Sequence, residues 1–541
     1  MLEGCVPRPD SEVAEYRRAG YWAGAPLGAL LRQWAADHPD RTALVDAQVR
    51  WTYRELDDRA DRFAAGARRF GLCPGDRVVV QLPNVAEFAA LCFGLFRAGV
   101  VPVFSLPSHR SHEIRHLCEL SGASAYVLPA VHRGFDHRAI ADEVRSEVPP
   151  VRHAFVLGDP GAHTALSDLD ADPAAWLPED EPDPTDVAFF LLSGGTTALP
   201  KLIPRTHDDY AYQLRTAAEI CALGPDSVYL ATLPISFNFT WACPGVLGTM
   251  HSGGKVVLAS SPSPEECFPL IADEGVTTTS VAPTVAHLWM EAVPHDSHDL
   301  STLELVQVGS APLHREVAER IAPALGCQLQ QVFGMVEGLL TMTRLDDDAE
   351  TVLTTQGRPI SPADEVRIVT PGSERDVPAG EVGELLCRGP YTLKGYYRAP
   401  EHNAEVFTAD GHYRTGDLAR LTSNGDLVVE GRVKDVVNRG GDKVSATELE
   451  GHLLHHENVQ QAAVVPLPDP VLGEAVCACV VPEGAPPRLI DVKKLLVRRG
   501  IAQYKLPDRV EVYEQFPLTG LGKVDKNQLA DDVRDRAGAA R

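Results

Sequence analysis

The stretch FLLSGGTTALPKLIPRTH, residues 190–207, concentrates groups able to bind a phosphate. Ser193, Gly194, Gly195, Thr196 and Thr197 are small enough for a sharp turn. Such a turn aims successive backbone N–H groups at one point, and the hydroxyls add further donors; the result is an anion nest. The usual phosphate loop, G-x-x-x-x-G-K-[ST], places its lysine and hydroxyl directly after the second glycine and opens a helix. Here Lys201 follows Pro200, and Pro204 comes soon after, which delays the next helix to about Thr206. The pattern predicts a loop folded over a phosphate rather than a helix N-terminus beneath one.

Other charged residues stand in glycine-rich settings. QQVFGMVEG sets Glu337 beside a glycine turn, and YRTGDLARL sets Asp417 at the end of one. VEGRVKDVVNRGGDKV gathers Arg432, Lys434, Asp435, Arg439 and Lys443 around Gly440 and Gly441. PLTGLGKVDK leaves Lys523 on a glycine-rich loop near the C-terminus. Singly, each has a plain explanation: a helix-capping glutamate, a turn aspartate, a solvated lysine. Their joint occurrence, in this order and at these distances, is the informative feature.

The elements that must position these residues alternate between strand and helix. Leu56, Ala60, Phe63, Ala67 and Phe70 recur at spacings of four and three, the mark of one apolar helical face. DRVVVQL, VAEFAALCFGLFRAG and VVPVFSL then read as strand, helix and strand, a parallel βαβ unit. GKVVLAS, VTTTSVAPTVAHLWMEA and LELVQVGS repeat the alternation, so the fold class is α/β with doubly wound sheets. From about Asp364 the shorter runs ADEVRIV, GELLCRG and GDLVVEG predict a β-rich subdomain. A domain boundary is expected near Lys434–Asp435, and PEDEPDPTD reads as a surface linker.

A chain of 541 residues is too long for one ordinary core, and 44% hydrophobic with 23% charged residues describes a globular protein. No uninterrupted apolar run of membrane-spanning length is present, and the N-terminus lacks the apolar core of a signal peptide. The eleven cysteines are scattered and form no C-x-x-C, which points to the cytoplasm rather than to a disulfide or zinc framework. A net charge of −25 argues against nucleic acid or an anionic membrane as the main partner. From Lys434 onward there are 15 Lys and Arg against 16 Asp and Glu, so the excess acid lies upstream.

Together these motifs resemble the adenylate-forming superfamily over essentially the whole chain, and most of all the stand-alone aryl-acid AMP ligases that activate salicylate or 2,3-dihydroxybenzoate. SLPSHRSHEI, GCQLQQVFGMVEGL, TRLDD, RGPYTLKGYY and NRGGDKV carry the likeness. The resemblance implies an N-terminal adenylation domain over 1–433 and a small mobile α+β C-terminal domain over 434–541, with Asp435 at the hinge. It implies ATP and Mg2+, with Ser193 to Lys201 around the β- and γ-phosphates and Glu337 helping to hold the metal. Phe333 and Gly334 would lie at the adenine, and Asp417 at the ribose with Arg432 nearby. Lys523 would bridge the acid and the phosphate in the first half-reaction. Rotation about Asp435 would then bring Gly440 and Gly441 to line a tunnel for a phosphopantetheine thiol.

The likeness also locates an acid pocket. Asn238 falls where aryl-acid ligases hold the ortho-hydroxyl and where amino-acid-activating relatives commonly carry an aspartate. Phe239, Cys243, Ser310 and Leu340 would line the same pocket, while Phe237, Ser310 and Trp241 depart from the pattern of close relatives. Cys243 and Leu340 replace a serine and a valine of catechol-activating enzymes, so salicylate is expected ahead of 2,3-dihydroxybenzoate. The implied acceptor is an aryl carrier protein supplied in trans, in siderophore or antibiotic biosynthesis. The alternatives are an aryl-CoA ligase and, more distantly, a non-catalytic nucleotide-binding relative.

Overall fold

Short runs that are apolar at every position become parallel strands buried on both faces. In the computed structural model, Arg77–Val80, Val101–Phe104, Ala125–Pro129 and His153–Leu157 lie parallel in a seven-stranded sheet, with Val187–Leu192 parallel to Val101–Phe104. The structure describes residues 1–175, 181–193, 200–439, 442–469, 472–499, 501–519 and 522–539. Gly194, Gly195, Thr196, Thr197, Gly440 and Gly441 lie outside the described residues.

The helix Tyr53–Arg69 buries Leu56, Ala60, Phe63 and Ala67, as their spacing predicts, and Phe70 forms its C-cap. Its start is fixed by Thr52 and Glu55, which cap each other's backbone N–H groups. This face and the wholly buried helix Ala86–Arg97 share one apolar core. A second sheet of nine strands has a parallel centre: Thr42–Val45, Lys255–Leu258, Val228–Ala231, Thr278–Val281, Leu305–Gly309 and Gln328–Met335. Antiparallel strands close its edges.

Glu365–Val369, Gly383–Arg388, Tyr413–Leu421 and Leu427–Arg432 form the β-rich part, a four-stranded antiparallel sheet. Here one expectation is corrected. Asp417 does not end a glycine turn; it lies inside the strand Tyr413–Leu421. Gly416, at φ +71°, sits in an irregularity where the pairing moves from Leu386↔Arg414 to Glu384↔Leu418. A glycine within a strand commonly marks such a bulge, which re-aims its neighbour's side chain.

The smaller C-terminal domain has its own sheet, including the long pair Val459–Asp469 and Gly473–Pro482, with Arg509–Val512 added parallel. Its helices Ala446–Leu453, Leu489–Arg498 and Lys526–Ala539 complete an α+β unit. The architecture is thus mixed α/β, with a large N-terminal and a small C-terminal domain. Among the described residues, the apolar clusters of the two parts do not mix: those of the large part stop at Val429, and those of the small part run from Val437 to Val533. Polar contacts span the seam instead. Thr284 Oγ1 donates to Gly522 O (3.2 Å), Ser445 Oγ donates to Glu430 O (3.3 Å), and His455 Nε2 lies 2.6 Å from Glu316 Oε1.

Candidate active site

Strand ends from both large sheets converge on one region, the usual place for a ligand in an open α/β fold. The apolar strand Val187–Leu192 ends at Ser193, and the chain returns as the antiparallel edge strand Leu202–Thr206. Pro204 is tolerated there because an edge strand leaves some N–H groups unpaired. Ser193 N donates to Lys201 O (3.0 Å), and Lys201 N donates to Ser193 Oγ (3.0 Å). These bonds pinch the neck of the glycine-rich connection. The following helix, His207–Ile220, starts where expected, with Thr206 and Asp209 forming a capping box.

Glu337 follows the strand Gln328–Met335, which also carries Phe333 and Gly334. Gly338 explains the turn beside it. Its φ is +106°, and a β-carbon there would lie 2.1 Å from Tyr391 O. The Glu337 carboxylate is buried, and its Oε1 accepts the Tyr396 hydroxyl (2.6 Å), which lies 2.8 Å from the Tyr413 hydroxyl. Oε2 takes part in no described hydrogen bond. The Lys201 ammonium lies 5.9 Å from the centre of the Tyr396 ring, so one tyrosine touches both the loop lysine and the acid. Among the described residues no group of three or more His, Cys, Asp or Glu side chains is placed to hold a metal. A hard cation at Glu337 would complete its shell with phosphate oxygens and water.

Asp417 and Arg432 face each other across adjacent strands, with Arg432 Nε 3.0 Å from Asp417 Oδ1. Burial, and then the nearby charges of Glu337 and Asp435, lift the Asp417 carboxyl to about 6, although Arg432 and the Thr415 hydrogen bond oppose the rise. Lys523 approaches the same pair from the small domain. Its loop is closed by Thr519 N donating to Lys523 O (2.7 Å) and anchored by the Thr284–Gly522 bond. Burial and the positive field of Arg432 lower the Lys523 ammonium to about 8, against the pull of Asp417. Asp435 ends the short 3-10 turn Val433–Asp435 between the two parts.

Several residues expected at the acid lie close together. Asn238 opens the short helix Asn238–Ala242 and is buried. Phe239, Cys243 and Leu340 belong to one apolar cluster, and a β-carbon on Gly309 would meet the Phe239 ring at 3.2 Å. Ser310 follows the strand Leu305–Gly309 in a left-handed conformation, φ +69°, and its buried Oγ has no hydrogen-bond partner. Leu340 sits so close to Gly334 that a β-carbon there would lie 2.2 Å from Leu340 Cδ2. The Cys243 thiol donates to Asn238 O (3.3 Å), and burial pushes its pKa well above the ordinary thiol range. Trp241 is no part of this wall. It is wholly buried in the main core against Phe88 and Phe104.

Sequence reasoning missed the residues behind the pocket. Arg205 is fully buried and ion-paired with Asp209 (2.9 Å), and it also donates to Gln213 Oε1 (2.9 Å). Asp209 and Gln213, four apart in RTHDDYAYQ, share one face of the helix His207–Ile220, whereas Arg205 reaches them from the strand before it. Tyr391 was passed over too. Its hydroxyl accepts Leu340 N–H (3.1 Å) and donates to Asp364 (2.6 Å), whose carboxyl burial lifts to about 8.

Among the described residues no helix is long and apolar enough to cross a membrane. The family model of the AMP-binding enzymes matches residues 31–397, and that of the AMP-binding enzyme C-terminal domain matches 448–523. The chain is 51% identical to 2,3-dihydroxybenzoate-AMP ligase of Bacillus subtilis, over 99% of each chain. It is 49% identical to a salicylyl-CoA synthase / salicylate adenylyltransferase of a Streptomyces species, over 99% of this chain and 98% of the relative. The apo structure of Mycobacterium smegmatis MbtA superposes with a TM-score of 0.77 at 46% identity, covering 98% of both chains. With two strand ends, a small-domain lysine and a facing aspartate–arginine pair gathered at one site, the chain belongs to the AMP-binding enzyme family and is an adenylate-forming ligase.

Proposed function

We propose that the chain activates an ortho-hydroxylated benzoate with ATP, salicylate ahead of 2,3-dihydroxybenzoate, and passes it to the phosphopantetheine thiol of a separate aryl carrier protein. The observation that carries this reading is the neutral amide of Asn238, at the position where amino-acid-activating relatives commonly carry an aspartate, set beside Phe239, Cys243 and Leu340. Relatives named for siderophore synthesis support a role in siderophore or antibiotic assembly.

In the first step a carboxylate oxygen attacks the α-phosphorus in line, and pyrophosphate leaves. Two anions meet, so catalysis rests on positioning and charge neutralisation. In this reading Ser193, Gly194, Gly195, Thr196, Thr197 and Lys201 wrap the β- and γ-phosphates. Phe333 and Gly334 face the adenine, and Asp417 accepts from the ribose hydroxyls with Arg432 keeping it ionised. Lys523 lies between the carboxylate and the phosphate. Magnesium, when bound, neutralises phosphate charge, and Glu337, anchored by Tyr396, is the residue that would hold it. The division of the chain falls between residues 433 and 434. Rotation about Asp435 then withdraws Lys523, and Gly440 and Gly441 line the path of the thiol. Eleven free cysteines fit a reducing compartment, the cytoplasm.

The Cys243 thiol is already committed to Asn238 O, and Leu340 is apolar, so a 3-hydroxyl would be buried without a good partner. The cost is about 1–3 kcal/mol, or roughly a 5- to 150-fold preference for salicylate. The test is ATP–pyrophosphate exchange with both acids in wild type and in Cys243→Ser with Leu340→Val. Equal or better wild-type use of the catechol removes the salicylate assignment. The relative named as a salicylyl-CoA synthase favours a second reading, transfer to free CoA. Docking of a carrier protein supplies remote binding energy that CoA lacks. Comparable kcat/KM for the two acceptors would therefore support the CoA reading.

A further inference from the structure

We infer that Asn238 is locked as a hydrogen-bond donor by a relay from Arg205 through Gln213, so that the pocket takes an ortho substituent offering a lone pair and rejects one offering only N–H. The inference rests on the aryl-acid reading above and deepens it. The polarity begins at Arg205, whose guanidinium carries only donors. It is fixed by Asp209 Oδ1 (Nε, 3.0 Å), by Val336 O (3.2 Å) and by Tyr391 O (3.3 Å), and its NH2 group faces Gln213 at 2.9 Å. Gln213 must therefore present its Oε1 to Arg205 and its Nε2 to the other side. That Nε2 donates to Ala242 O (3.1 Å), an acceptor without a proton, which fixes the same orientation independently.

The next link is Asn238. Its Oδ1 lies 3.4 Å from Gln213 Nε2 and 2.8 Å from the Tyr210 hydroxyl. Burial raises the Tyr210 phenol well above its ordinary pKa, so it keeps the proton that it donates to Oδ1. Turning the Asn238 amide over would bring its Nδ2 against Gln213 Nε2, donor against donor. The oxygen is thus held inward, and the Nδ2 group takes part in no described hydrogen bond. Nor is it among the buried polar atoms left without a partner, so it keeps some accessible surface at which to meet a ligand.

A ligand there must accept. In salicylate the phenolic proton is shared with the adjacent carboxylate, which leaves an oxygen lone pair for Asn238. A ring nitrogen ortho to the carboxylate serves equally. In anthranilate the nitrogen lone pair is delocalised into the ring, and one of its N–H groups points at Asn238. That pairing is repulsive and leaves two buried donors unmatched. Arg205, Gln213 and Tyr210 are thus positioning residues that set the polarity of a contact they do not make.

The test is kcat/KM for ATP–pyrophosphate exchange with salicylate, unsubstituted benzoate and anthranilate in the full-length enzyme. Wild type should rank salicylate first and anthranilate last, below benzoate, with roughly 100-fold or more between the extremes. In Gln213→Glu, the new carboxylate still pairs with Arg205, gives up the bond to Ala242 O and must accept from Asn238, while the Tyr210 hydroxyl can accept from the turned amide as well as donate. The amide then turns its oxygen outward, and the anthranilate-to-salicylate ratio should rise by roughly 100-fold. Tyr210→Phe removes the second anchor without adding charge and should raise that ratio roughly tenfold, mainly through KM. Anthranilate used as well as salicylate by wild type, or a parallel fall for all three acids in both variants, overturns the relay while leaving aryl-acid activation in place. Exchange with no benzoate at all overturns both.

Discussion

Replacing Arg432 by glutamine should move both limbs of the pH profile for ATP use upward together. In the proposed reading Asp417 of the free enzyme must be ionised to receive the ribose and Lys523 charged to meet the phosphate; burial lifts the Asp417 carboxyl to about 6. Burial lowers the Lys523 ammonium to about 8. The profile of kcat/KM for ATP is therefore a bell that falls about tenfold by one pH unit outside either limb. Arg432 lowers both values, because a cation favours the carboxylate of Asp417 and disfavours the ammonium of Lys523. Removing it raises both. An arginine at salt-bridge distance shifts an aspartate by roughly 1–3 units. Asp417 is 13% exposed but Arg432 is 55% exposed, so screening selects the low end, about one unit. The assay is pyrophosphate exchange from pH 5 to 10 at saturating acid and Mg2+, with Lys523→Arg as the control that removes the alkaline limb. A bell that stays in place, or limbs that move in opposite directions, would falsify the shared electrostatic role given to Arg432.

Three shorter tests address other parts of the site. Lys523→Ala should cripple adenylation while sparing thiol transfer from a presynthesised aryl-adenylate, and Gly441→Glu should do the reverse; equal losses in both half-reactions would contradict the two-arrangement account. Tyr396→Phe removes the donor that anchors Glu337 and should weaken the apparent affinity for Mg2+ by roughly 10- to 100-fold, read from a Mg2+ titration of exchange. Gly338→Ala must place a methyl group against Tyr391 O at a positive φ, so it should cost about 2 kcal/mol or more, seen as a lowered Tm.

What was legible in the sequence followed from local rules. Val78, Val79 and Val80 announce a strand by their branching, Thr206 a helix start by its hydroxyl, and the prolines at 200 and 204 a delayed helix. Asp417 was misplaced because Gly416 reads as a turn in one dimension, whereas pairing with a distant strand makes it a bulge. Trp241 was drawn into the pocket by its neighbours in the chain. On a helix, residues two apart face different ways, and Phe239 and Trp241 enter separate cores. Tyr391 and Tyr396 lie between regular elements, so no periodicity marks them. Their roles come from partners distant in the chain, Leu340 and Glu337 among them.

The seam between the two parts bears on how this chain can be recombined. Among the described residues each part keeps its apolar clusters to itself, and hydrogen bonds and an ion pair join them. An exchange of the small domain between relatives therefore needs no matching of interdigitated cores, where a single misplaced methylene is felt. It needs that Gly522 still meet a hydroxyl, that a hydroxyl still reach Glu430 O, that an acid still face His455, and that the lysine loop arrive at the same height. Those are few constraints and easily met. If, as proposed, the large domain chooses the acid and the small one helps to present the acceptor, the two choices can be inherited separately.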